Sequence, residues 1–256
     1  MSIITFIIKK IVQYTAKYLG VGLVRSRRLE QLQSIETDIS ELLDFLSSAN
    51  VIDGHSKAQL HQDIFVLLAT NFKKNGFFVE FGAANGVELS NTLLLEKSYG
   101  WNGILAEPAR IWHKDLLKNR KASIETNCVW KTSGDIVNFN MVDMAELSTI
   151  TEFSDRDGHH KQRENGMTYD IETISLNDLL KKHNAPKQID YLSIDTEGSE
   201  FEILNNFDFN EYNISIITCE HNYTDDREKI FSLLSSNGYT RRFTGFSKWD
   251  DWYLKD

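Results

Sequence analysis

Beyond residue 56 the chain alternates between short apolar runs and helix-like stretches, and this alternation limits its fold more than any other feature. Strand-like runs occupy residues 77–79, 103–106, 122–126, 191–194 and 214–218. Helical periodicity predicts helices over about 57–73, 91–98, 109–119, 175–183, 199–206 and 226–237. Strands that alternate with helices pair into a mostly parallel sheet with helices laid against it. The expected architecture is therefore α/β, a doubly wound, mostly parallel sheet spanning residues 56–256. Ligands of such sheets bind at the carboxyl ends of the strands, near the point where strand order reverses. The residues that follow each run are the ones to read for chemistry.

Residues 1–55 read as a helical extension. Lys9, Gln13 and Lys17 fall on one side of a helix, with Ile4, Ile7, Ile8, Ile11, Thr15 and Tyr18 opposite. Charge interrupts the apolar run, so it fits neither a spanning helix nor a cleaved leader. A basic amphipathic helix lies well on an anionic membrane surface, and packing on the body or a second subunit is the alternative. Leu32, Ile35, Ile39, Leu42 and Leu46 then form a short apolar seam, suited to core packing or to a homodimer contact. Net charge is −9 overall, while residues 1–28 carry +6, which leaves −15 on the rest. An acidic body argues against a nucleic-acid substrate. Two isolated cysteines, Cys128 and Cys219, make no disulfide framework. They fit a reducing, cytoplasmic setting, with peripheral contact at the inner face of the membrane through residues 1–28.

The first run leads into Glu80-Phe81-Gly82-Ala83-Ala84-Asn85-Gly86. Small residues there permit a tight turn and close approach to a ligand. The spacing is Gly-x-x-x-Gly, not the Gly-x-Gly-x-x-Gly of a dinucleotide site. A carboxylate at Glu80 repels a pyrophosphate and suits a ligand carrying an ammonium and a sulfonium. The second run ends in Glu107-Pro108, 21 residues after Gly86, where an acid can accept hydrogen bonds from both ribose hydroxyls. Together these strand ends read as an S-adenosylmethionine site. A ligand-free turn and a plain surface acid are the alternatives.

Several motifs then occur in consistent order. They are Phe78-Val79-Glu80-Phe81-Gly82-Ala83, Ser90-Asn91-Thr92, Leu95-Glu96, Gly100-Trp101-Asn102-Gly103-Ile104-Leu105, Glu107-Pro108 and Asn119-Arg120. The run from Ile189 through Asp195-Thr196-Glu197-Gly198-Ser199-Glu200, then Glu220-His221-Asn222 and Asp251-Trp252-Tyr253, continues the set. From about Gln62 to the C-terminus this pattern resembles the FkbM family of methyltransferases. The resemblance implies a Rossmann-like methyltransferase fold and S-adenosylmethionine-dependent O-methylation, often of sugars in glycans or glycosylated natural products. It places Ser90, Asn91 and Thr92 with Glu80, Gly82, Ala83, Asn85, Gly86, Glu107 and Pro108 at the cofactor.

Asp195-Thr196-Glu197 and Glu220-His221-Asn222 follow two runs expected to be neighbours, so both open on one cleft. Methyl transfer to a hydroxyl needs that hydroxyl deprotonated and held in line with the methyl. Two routes are open. His221 can act as general base, or Asp195 with Glu220, His221 or Asn222 can hold magnesium or manganese as a Lewis acid. Asp195, His221 and Glu197 are the catalytic candidates; Glu200 reads as a helix start or a supporting group. Residues 143–170 read as a long polar loop, a lid or binding loop. Arg156, His160 and Arg163 in it are candidate contacts for a sugar, nucleotide-sugar or glycan, the two arginines for an acidic or phosphorylated group of it, with an exposed surface role as the alternative for either of His159 and His160. Trp112, Trp130, Trp249 and Trp252 are candidate sugar-stacking faces, although core packing is the commoner use. A membrane-associated binding protein that keeps the fold without catalysis is the competing class, and the intact Glu80, Glu107, Asp195 and His221 speak against it.

Overall fold

The computed structural model describes Ser47 and residues 55–256. The expectations for residues 1–46 and 48–54, including the basic helix and the leucine-rich seam, lie outside the described residues. The five expected strands are present, each longer or shorter by a few residues. They are β1 (Phe77–Phe81), β2 (Asn102–Ala106), β3 (Ser123–Glu125), β8 (Gln188–Ile194) and β9 (Asn213–Glu220). With β10 (Tyr239–Arg242) and β11 (Asp250–Lys255) they form one sheet in the order β10-β11-β9-β8-β1-β2-β3. The pairs β1–β2, β2–β3, β1–β8 and β8–β9 are parallel, and only β11 runs antiparallel to its neighbours. The chain is thus a doubly wound α/β fold whose strand order reverses between β1 and β8.

Between β3 and β8 the sequence reading misses a second sheet. Strands β4 (Cys128–Trp130), β5 (Ile136–Met141), β6 (Thr149–Ile150) and β7 (Met167–Ser175) pair in the order β4-β7-β5-β6. The supposed loop over 143–170 is therefore partly strand. It also holds short 3-10 turns at Ala145–Leu147 and Thr151–Phe153 and one turn of helix, α4 (His160–Arg163). The reason is that β5 and β7 bury few of their residues, so their alternation carries Asn, Thr, Asp and Glu and reads as polar loop. Phe139, Ile150 and Phe153 pack with Trp130 and Ala109 into a satellite core beneath this sheet.

The remaining helices are α1 (Gln62–Ala69), α2 (Leu93–Tyr99), α3 (His113–Asn119), α5 (Leu176–Lys182), α6 (Glu200–Asn205) and α7 (Asp226–Ser236). Helix α1 is shorter than its apolar pattern because His61, Asn71 and Phe72 adopt left-handed backbone at its two ends. The main core is aliphatic and lies along the central strands, with Val79, Ile104, Leu192 and Ile217 fully buried. Phe65 of α1 stacks on Trp252 of β11 with ring centroids 4.9 Å apart, fixing the helix against the sheet. Burial of a ring of this size is worth roughly 2–3 kcal/mol. Among the described residues no helix is long and apolar enough to cross a membrane.

Candidate functional site

The reversal of strand order puts the ends of β1 and β8 side by side, and a cleft of about 680 Å³ opens there. Gly82 makes the cleft possible. Its φ is +73°, and a Cβ on it would lie 2.1 Å from the Asp195 carbonyl oxygen, so only glycine lets the β1 turn pass the end of β8. The Gly82 and Ala83 amides donate to the Ala106 carbonyl at 3.1 and 3.4 Å, binding the turn to the end of β2. At that end the Glu107 carboxylate accepts from the Ala84 and Ala109 amides, each at 2.7 Å, and faces the cleft. Burial pushes its pKa up to about 7 against the pull of those two amides. Each oxygen keeps a second lone pair for an incoming hydroxyl.

Glu80 lies at the cleft floor and is tied from behind. Its carboxylate accepts from the Asn91 amide at 2.7 Å and from the hydroxyls of Ser90 and Thr92. Arg120, with no exposed side-chain surface, donates to Glu96 at 2.9 Å, the Gly86 carbonyl at 3.1 Å, Ser90 at 3.0 Å and Thr92 at 2.8 Å. It stands 3.7 Å from Glu80. Of the expected cofactor residues, Glu80, Gly82, Asn91, Glu107 and Pro108 line the cleft. Ser90 and Thr92 instead serve the Arg120 network. The Asn85 side chain accepts from the Val87 and Glu88 amides at 2.9 Å, so Asn85, Ala83 and Gly86 shape the loop.

Next to this lies a carboxylate triplet. One oxygen each from Asp195, Glu197 and Glu220 falls within 4.8 Å of the others. Burial, then the neighbouring carboxylates, push Asp195 and Glu220 well above the usual range. Burial also lifts Glu197 to about 8, although Arg163 opposes the rise. The turn that carries Asp195 and Glu197 is over-determined. Glu200 accepts from the Thr196 amide at 2.8 Å and the Gly198 amide at 3.1 Å, and Thr149 Oγ1 donates to the Glu197 carbonyl at 2.9 Å. Glu197 itself has φ +60°. Ala84, Leu89, Asn222 and Tyr223 also have positive φ and also line the cleft. Such strain persists only where the surrounding structure enforces it.

His221 does not join the triplet. Neighbouring residues at a strand end face opposite sides: Glu220 faces the cleft and His221 turns away. Its Nδ1 accepts from the Tyr223 amide at 3.0 Å, and its buried Nε2 stands 3.8 Å from Asp251 Oδ1. Burial lowers its pKa. Asn222 does reach the cleft, with its amide 3.4 Å from Glu197 Oε2.

The segment over 143–170 places its candidates differently from the sequence expectation. Arg163 is buried and donates to Glu197 at 2.6 Å, Asp157 at 2.8 Å and the Leu147 carbonyl at 2.7 Å, so it is a strut. Arg156 is exposed, with its guanidinium 4.3 Å from the centroid of the Phe153 ring, and His160 is exposed. His159 lines the cleft instead. Trp249 is the one tryptophan of the four at the cleft, while Trp130 and Trp252 are core. Trp112 packs against the satellite core. Several cleft residues escaped the sequence reading, among them Gln59, Gln62, Glu146, Tyr223 and Asp250. Asp250 pairs with Glu220 across the β11–β9 ladder, and its carboxylate accepts from Gln62 Nε2 at 2.7 Å. An acid beside Asp251-Trp252-Tyr253 was the available signal.

Residues 80–252 match the family model described as the methyltransferase FkbM domain. No curated protein matches the chain. Among solved structures it is similar to the precorrin-6y C5,15-methyltransferase of Geobacter metallireducens, at 9% identity and TM-score 0.41, over 79% of this chain and 93% of that one. It is also similar to the METTL16 methyltransferase domain, at 12% identity and TM-score 0.39, over 74% and 63% of the two chains.

Proposed function

Because the chain belongs to the FkbM methyltransferase family, whose fold is that of S-adenosylmethionine-dependent methyltransferases, we propose that it O-methylates a sugar or glycan-type hydroxyl with the help of a divalent ion. One observation carries this reading: the Asp195–Glu197–Glu220 triplet lies in the same cleft as Glu107 and the Gly82 turn. Bound adenosylmethionine supplies an electrophilic methyl group on a sulfonium. Glu107 accepts from the ribose hydroxyls, and the Gly82–Ala84 backbone borders the nucleoside. The acid-lined floor favours the cationic end of the molecule over a pyrophosphate.

The triplet fits an ion. Three crowded, desolvated carboxylates with raised pKa values are short of positive charge, and an all-oxygen set suits magnesium or manganese. A divalent ion there supplies Lewis acidity toward an acceptor hydroxyl. Asp195 and Glu220 hold that hydroxyl at the cleft floor, and a carboxylate oxygen of the triplet takes its proton. The metal-free route keeps the same carboxylates as base, since His221 faces elsewhere. Residues 1–28, with their +6 charge, are proposed to meet a membrane surface or a second subunit.

Calorimetry tests the cofactor half. Adenosylhomocysteine should bind, and Glu107→Ala should weaken it by about 1–3 kcal/mol, roughly 5- to 150-fold, by removing a hydrogen-bonding carboxylate. Binding of NAD in place of adenosylhomocysteine sinks the reading. For the ion, manganese titrated into EDTA-treated protein should give an immobilised paramagnetic signal that Asp195→Ala abolishes. Full methyl transfer by demonstrably metal-free protein removes the ion from the mechanism.

A further inference from the structure

The cleft extends past the triplet, away from Glu107, between Gln59, Gln62, Tyr223, Trp249 and Asp250. Taking that end as the acceptor's, on the methyltransferase reading above, we propose that it admits only acceptors free of anionic groups, an uncharged polyol or an amino sugar, with Asp250 as the selecting side chain. Seven carboxylates line the whole cleft and, among the described residues, no lysine or arginine does. Arg120, 3.7 Å from Glu80, and Arg163, 2.6 Å from Glu197, stand behind two of them and outside the lining. The lining therefore offers an anionic acceptor no fixed cation.

Phosphate recognition relies on arginine forks, lysines or backbone N–H groups at a helix N-terminus. The side chains of the acceptor end are amides, a phenol hydroxyl, an indole and carboxyl groups, with no arginine or lysine among them. Asp250 is nearly buried, is held by the Gln62 amide, and lies beside Glu220 in the ladder, so a phosphate there faces two carboxylates with no cation between. A hydroxyl or an ammonium, by contrast, donates to the same oxygens. Trp249 and Tyr223 add flat faces suited to a sugar ring. The lining thus turns the acceptor away from the nucleotide-linked sugars that the sequence leaves open.

The test is ligand-observed NMR on the full chain with adenosylhomocysteine, with manganese omitted and both with and without magnesium, using matched pairs. The pairs are glucosamine with glucosamine 6-phosphate and methyl glucoside with glucose 6-phosphate. The unphosphorylated member should bind at least tenfold more tightly in both pairs, with or without magnesium. Asp250→Asn should narrow that ratio for the glucosamine pair, and Asp250→Glu should restore it. Equal or tighter binding of the phosphorylated members overturns the inference while leaving the methyltransferase reading intact. Adenosylhomocysteine binding with neither member of any pair bound overturns the sugar class and this inference together. Loss of adenosylhomocysteine binding itself points to failure of the parent reading.

Discussion

Asp63 shows what one buried group does to the whole chain. Its carboxylate accepts from Ser56 Oγ at 2.8 Å and the Ile64 amide at 2.9 Å, while its other oxygen has no partner. Burial raises its pKa from 3.8 to about 7. The folded state therefore holds a proton that the unfolded chain releases above pH 3.8. Its contribution to stability is present in full below that value, falls as pH rises toward 7, and is level beyond. The loss reaches at most about 4 kcal/mol at 1.36 kcal/mol per pKa unit. Urea unfolding of the wild type and Asp63→Asn from pH 4 to pH 8 should show this slope in the wild type and a flatter curve in the variant. Equal slopes remove Asp63 as the cause. At this scale the sequence was legible wherever a residue's role follows from its place in the strand. Glu80, Glu107, Asp195 and Glu220 reach the cleft because each stands at the carboxyl end of a parallel strand. His221 misled because one step along the backbone reverses the face, and chemistry alone does not reveal which of two neighbours turns inward. Arg163 misled because a guanidinium in a polar segment looks exposed until its three internal partners are known.

At the scale of elements, the central parallel strands were legible because strands buried on both faces are runs of continuous apolar residues. The half-exposed strands β5 and β7 were not, since their alternation is carried by residues that also suit loops. Strands β10 and β11 escaped for a related reason: Asp250, Asp251, Arg241 and Arg242 break the apolar pattern. Asp251 is nonetheless buried, accepting from Arg227 at 2.9 and 2.8 Å and from Arg241 at 3.0 Å. Only the tertiary partners reveal that it belongs in a strand. The junction of β1 with β8 makes a sharp prediction. Gly82→Ala forces a methyl group against the Asp195 carbonyl in a backbone conformation that alanine resists. Adenosylhomocysteine affinity should drop at least tenfold by calorimetry, with the far-ultraviolet circular dichroism unchanged. Retained affinity shows that the two strand ends are not held as closely as 2.1 Å implies.

For the whole molecule, the acidic body and the basic first 28 residues suggest a division of labour. A chain lacking residues 1–28 should bind adenosylhomocysteine as before and lose any association with vesicles of anionic lipid, read by sedimentation. Loss of cofactor affinity on truncation assigns that segment to the catalytic body. Within the body, the Arg120 network has a consequence for motion. Loop amides usually exchange with solvent through small local openings. Residues 84–92 form almost no regular structure, yet they cannot part from the sheet without stripping Glu80 of its Ser90, Asn91 and Thr92 donors and Arg120 of its Gly86, Ser90 and Thr92 acceptors, at about 1–3 kcal/mol for each buried group left unsatisfied. Their amide protons, timed by mass spectrometry after dilution into heavy water, should therefore exchange nearly as slowly as those of β1. The loop then behaves as rigid scaffold, ready-shaped before any ligand arrives.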